Sequence, residues 1–141
     1  MSILLHFPQG LPGFESYHNF YFVPEDDTLL AQMRAVDDER IGFVLLKPQS
    51  FFPMYNPVFD IDDQSAELLK VKPETEVEVW AILTLKNGDL YNTTANLRAP
   101  LLINLQEKIG LQHILNDDSY LSQQPLLTGN NQGEIREGAV D

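Results

Sequence analysis

The stretch "EVEVWAILTLKNGDLYNTTANL", residues 76–97, decides the fold class. Runs of β-branched and aromatic residues stand on either side of Asn87-Gly88, a pair that accepts the positive φ angles of a type I′ turn. A tight antiparallel hairpin is expected there. On its first arm the two-residue strand period puts Glu74, Glu76 and Glu78 on one face and Val77 and Val79 on the other.

Outward from the hairpin the segments stay short and the turn signals frequent. Towards the N-terminus, "YHNFYFV" (residues 17–23) reads as a strand, followed by the acidic turn "PEDD" (24–27) and a further strand over 28–36. The run "IGFVLL" (41–46) has no polar interruption, which fits a strand buried on both sides and ended by Pro48. Beyond the hairpin, "RAPLLINL" (98–105) and "GLQHIL" (110–115) read as two more strands, with Leu101 and Ile103 facing the core. Only "DDQSAELLKV" (62–71) has helical character, with Asp or Ser as cap and Leu68 and Leu69 turned inward. About eight short strands and one or two helical turns make an all-β chain, and closing them into a small barrel removes exposed edges. A single domain over residues 1–127 is expected, with a glycine-containing tail over 128–141 that lacks apolar periodicity and reads as a flexible extension.

Composition excludes several classes of function. The 141 residues hold 21 Asp and Glu against 9 Lys and Arg, a formal net charge of −12. Nucleic-acid binding relies on clustered Lys and Arg, and the chain has no such cluster, so direct contact with nucleic acid is not expected. No run of about 18 apolar residues suggests a membrane span, and no cysteine suggests an oxidising compartment, so a cytoplasmic monomer is expected. There is no phosphate-binding glycine loop and no G-x-S-x-G, and His6, His18 and His113 lack zinc-ligand spacing. His6 and His113 read as structural residues within strands. The carboxylates Asp60, Asp62 and Asp63 are dense enough to suggest a cation, but no further oxygen ligands or turn glycine follow at the positions such a loop needs. No metal, cofactor or catalytic activity is expected. Two other readings remain open: a barrel enclosing a small ligand, marked by a deep apolar cavity, and a hydrolase using a pKa-shifted Asp60 or Asp62.

Four blocks in order, "FPQGLPGFE" (7–15), "GFVLLKPQSFFPMY" (42–55), "TLKNGDLYNTTANLRAPLLIN" (84–104) and "QHILNDDSYL" (112–121), resemble the flagellar assembly factor FliW family across residues 7–127. The resemblance implies a small β-barrel without enzymatic activity. It further implies a cytoplasmic protein that binds newly made flagellin and also binds the RNA-binding regulator CsrA, relieving repression of flagellin translation. The negative charge agrees, since an acidic protein is steered towards a basic partner. The family pattern carries a further strand ahead of its first block, whereas six residues precede Phe7 here, so the barrel is expected to close differently or to begin short. Met54 stands where the family more often has an acid.

Within the second block, "SFFPMYNPVFDIDD" (50–63) packs four aromatics and two prolines ahead of three acids. Phe51 and Phe52 are expected to pack beneath the loop or to reach a partner, with Pro53 fixing the turn. Tyr55 and Asn56 form a preorganised contact surface in this reading, and Asp60, Asp62 and Asp63 its acidic rim. Asn96, Arg98 and Asn104 are candidates either for partner contacts or for satisfying backbone groups at strand ends.

Overall fold

The computed structural model describes residues 2–26, 29–86 and 89–126. Strict alternation of buried and exposed residues shapes the first part of the chain. Strands β1 (Ile3–His6), β2 (Asn19–Pro24) and β3 (Leu30–Ala35) send Leu5, Phe20, Phe22, Ala31, Met33 and Ala35 to one side, all buried. Strand β4 (Gly42–Leu46) follows the same rule until its end, where Leu45 and Leu46 are both buried. The expectation that this run is buried on both sides is corrected, because Val44 and Gly42 face outward and stay exposed. The remaining strands are β5 (Glu78–Lys86), β6 (Asp89–Ala95), β7 (Leu101–Asn104), β8 (Ile109–Gln112) and the two-residue β9 (Gln124–Pro125).

Seven strands, β1–β2–β3–β4–β5–β7–β8, follow one another around a closed barrel. Every pairing is antiparallel except the seam between β1 and β8, where His6 stands opposite Ile109 and its N–H donates to the Lys108 carbonyl at 2.9 Å. The N-terminal residues therefore supply the first strand themselves, and the barrel closes through it. The long β5 serves three neighbours: β7 along residues 78–80, β4 at 81 and 82, and β6 from Leu83 onward. The expected hairpin is β5 with β6; its Asn87-Gly88 turn lies outside the described residues. The tail from residue 128 also lies outside them.

Side chains fill the barrel. Phe7 meets Phe20 edge-on at 5.4 Å between ring centroids, and Phe22 meets Trp80 in the same way at 5.4 Å. Leu101 and Ile103 join this interior as alternation predicted. Gly110 is required where β8 passes the interior, since a Cβ there would run into the Phe7 ring. A second apolar layer lies outside the barrel, built on the opposite faces of β5, β7 and β8 through Val79, Ala81, Leu102 and Leu111. All four residues of β7 are buried for this reason, inside and out. Residues 47–77 cover that layer with two 3-10 turns (Pro48–Ser50 and Pro57–Asp60) and the helix α1 (Asp63–Leu68).

The helix is shorter than the sequence suggested. Lys70 takes a left-handed φ of 56°, and the Lys70 and Val71 N–H groups bond back to Glu67 and Ala66 at 3.1 and 2.9 Å. That pair of bonds closes the helix in a Schellman arrangement with lysine where glycine is usual. Leu69 is fully buried, while Leu68 is half-buried. The glutamate stripe is also corrected: β5 begins only at Glu78, since Lys72 and Thr75 form a turn that keeps Glu74 off the strand.

Candidate protein-docking surface

The covering segment starts when Lys47 leaves β4, its N–H bonded to the Leu29 carbonyl at 2.9 Å. Pro48 then opens the first 3-10 turn, and its carbonyl accepts from both Phe51 and Phe52 N–H, at 3.0 and 2.8 Å. These bonds set the two phenylalanines side by side with centroids 6.4 Å apart. Phe52 is half-buried against the outer layer, whereas Phe51 is 39% exposed and Met54 91% exposed. Pro53 is exposed between them.

Tyr55 is not an exposed anchor. It is 2% exposed, its hydroxyl donates to the Leu97 carbonyl at 2.6 Å, and its ring meets Tyr120 edge-on at 4.9 Å. Burial, with a smaller contribution from Tyr120, pushes its phenol well above the ordinary range. Tyr55 therefore ties the loop to the strand exit after β6, and its ring forms the floor of a feature whose rim is Phe51, Pro53 and Met54. That feature is an open groove of about 370 Å³ lined by residues 51–55 with Leu97, Tyr120 and Gln124. The signal that sequence reasoning missed was Tyr120 and Gln124, contributed from far along the chain.

The other proposed contacts fall into two groups. Asn56 is exposed beside the groove as the residue before the second 3-10 turn, and Asp60 ends that turn, its side chain outside what the structure describes. Asp62 caps α1: hydrogen bonds from the Ser65 hydroxyl and N–H, the latter at 2.7 Å, hold its carboxyl below the usual range. This is the reverse of the upward shift that a general acid needs. Asp63 is exposed in the helix's first turn. Among the described residues no three His, Asp or Glu side chains stand close enough to hold a metal ion.

Asn96, Arg98 and Asn104 bond to their own backbone surroundings. Asn96 Oδ1 accepts from Ala99 N–H at 2.9 Å, and Arg98 Nε donates to the Leu115 carbonyl at 2.8 Å. Asn104 is buried; its Nδ2 donates to the Leu69 carbonyl at 2.8 Å and its Oδ1 accepts from Glu107 N–H at 3.3 Å. It thus fastens α1's end to the β7–β8 turn. Of the residues singled out in sequence, the structure gathers Phe51, Phe52, Pro53 and Tyr55 at one groove and sets Asn96, Arg98 and Asn104 to local bonding.

No described helix is long and apolar enough to cross a membrane. Comparison with known proteins adds identity to this geometry. The family model described as FliW protein matches residues 1–126. The flagellar assembly factor FliW of Anoxybacillus flavithermus is 37% identical over 123 residues, 87% of this chain and 83% of that protein. That of Moorella thermoacetica is 36% identical over 126 residues, 89% of this chain and 78% of the other. A crystal structure of the flagellar assembly factor FliW superposes with a TM-score of 0.78 at 35% identity, covering 89% of this chain and 86% of that one. With the barrel, its outer layer and the ordered sequence blocks all in agreement, the chain belongs to the FliW family of flagellar assembly factors.

Proposed function

We propose that this protein works by binding other proteins: it holds flagellin, and it holds the RNA-binding regulator CsrA and so relieves repression of flagellin translation. Family membership supports the assembly role. The observation that carries the reading is the open groove at residues 51–55, an apolar floor with Met54 91% exposed at its rim, in a chain of net charge −12. Exposed apolar side chains on a loop fixed by 3-10 turns offer contact area at little ordering cost. The same covering segment carries the exposed carboxylates Asp62 and Asp63, which suit a basic partner. Neither carboxylate lines the groove itself, so the face assigned to CsrA is the covering segment of residues 51–63 as a whole. A small-ligand barrel needs an empty interior, and here Phe7, Phe20, Phe22, Met33 and Trp80 occupy it.

Calorimetry with purified flagellin and purified CsrA tests the proposal, together with a gel-shift assay of CsrA on the leader of the flagellin message. Binding of both proteins is expected, and addition of this protein should release the RNA. Absence of heat with both partners at physiological salt would remove the reading.

A further inference from the structure

Met54 is the most exposed large apolar side chain among the described residues, 91% open, with Ile114 next at 60%. A thioether so placed adds little packing to the fold and meets whatever is dissolved around it. The other described methionine, Met33, is 1% exposed in the barrel interior. The chain has no cysteine, so no thiolate is present to react ahead of a thioether. Among the described residues, Met54 is therefore where an oxidant in solution first meets sulfur.

Its place gives that reaction a consequence. Met54 lines the open groove of about 370 Å³ together with Phe51, Phe52, Tyr55 and Tyr120. A thioether is polarizable, flexible and apolar, qualities that suit a docking rim. Hydrogen peroxide transfers one oxygen atom to such a sulfur. A sulfur lone pair attacks one peroxide oxygen, the S–O bond forms, the O–O bond breaks, and the second oxygen leaves as water with both protons. Sulfur loses two electrons and the peroxide gains them. The product, methionine sulfoxide, carries a strongly polar S–O group where the side chain was apolar. The Tyr55 hydroxyl in the floor is committed to the Leu97 carbonyl at 2.6 Å and offers the new oxygen no proton. A partner that closes over the rim strips water from that oxygen, at the cost of burying an unpaired acceptor.

We propose that Met54 is a peroxide-reactive site whose oxidation weakens protein docking at the groove without disturbing the fold. The proposal rests on the reading of the covering segment as a docking face. Reduction by a dithiol through a methionine sulfoxide reductase returns the thioether, the oxygen leaving as water and the dithiol becoming a disulfide. The surface thus switches reversibly, and under peroxide a partner held there is set free.

The test treats the purified protein with hydrogen peroxide, removes the excess with catalase and divides the sample. Peptide mass spectrometry is expected to find one added oxygen at Met54 while Met33 stays unmodified, and the melting temperature is expected to match that of the untreated protein. Oxidation of Met33 as fast as Met54 overturns the site. Calorimetry with purified CsrA, the basic partner assigned to this face, is expected to show affinity lowered about tenfold or more by oxidation, and restored by methionine sulfoxide reductase with dithiothreitol. Met54→Gln, which places a polar group at the rim, is expected to lower the affinity with no oxidant present. Met54→Leu is expected to lose the response to peroxide whatever its starting affinity, and Met33→Leu to keep it. Unchanged affinity after complete oxidation of Met54, or an equal loss in Met54→Leu, overturns the switch. If the untreated protein binds no CsrA, the docking reading falls and the switch with it, a failure told apart from the others because the mass spectrum still shows the oxygen at Met54.

Discussion

At the scale of single residues, Tyr55 shows how one hydroxyl can decide a side chain's role. A tyrosine on a proline-braced loop has the composition of an interface anchor, yet Leu97 offers it a carbonyl 2.6 Å away and Tyr120 a ring edge. Removal of the hydroxyl in Tyr55→Phe leaves that buried carbonyl without its partner and is expected to cost about 0.5–1.5 kcal/mol, measured by urea unfolding. The phenol's raised pKa also sets a pH dependence. Its stabilisation is fully present below the unfolded tyrosine value of about 10 and is lost as pH rises above that value towards the folded one. Unfolding followed from pH 9 to 11 should show the unaltered protein weakening, and Tyr55→Phe weakening less. A side chain's destination depends on residues distant in sequence. Tyr55 and Leu97 are 42 positions apart, and Asn104 and Leu69 are 35 apart. Neither bond is visible in local pattern, although an asparagine at a strand end did indicate a backbone partner of some kind.

At the scale of elements, alternation was the readable signal. It gave β2 and the inward placing of Leu101 and Ile103 because one side of each strand meets the barrel interior. It failed where a strand has two dry faces: β7 is buried throughout, and β4 was assigned double burial that only its last two residues possess. The second face belongs to the outer layer, whose presence depends on how residues 47–77 fold back. Helix α1 ended early for a different reason, the left-handed turn at Lys70. A lysine there has a Cβ too near the following carbonyl, at a cost of about 1–2 kcal/mol that glycine avoids. Lys70→Gly is therefore expected to raise stability by about 0.5–1 kcal/mol once glycine's greater unfolded entropy is subtracted. Thermal unfolding checks it, and a fall in melting temperature would mean that the lysine side chain contributes more than its 4.0 Å approach to Glu107 suggests.

At the scale of the whole molecule, the net charge of −12 acts over distances at which apolar contact does not, and the two proposed partners should respond to salt accordingly. Association with CsrA is expected to slow several-fold from low to physiological ionic strength as steering is screened, while association with flagellin changes less. Stopped-flow rates at several salt concentrations measure both, and equal slopes would contradict this difference between the partners. The parallel seam of the barrel has a further consequence, one concerning time. His6 is joined to Ile109, so the first strand leaves the ribosome long before the strand that completes it has been made. At roughly 5–20 residues per second that interval is roughly 5–20 s, during which β1 and β2 can form a hairpin but no closed barrel can exist. Contacts of such long sequence separation also slow folding after release. A partner that recognises the finished barrel therefore counts completed chains, not growing ones.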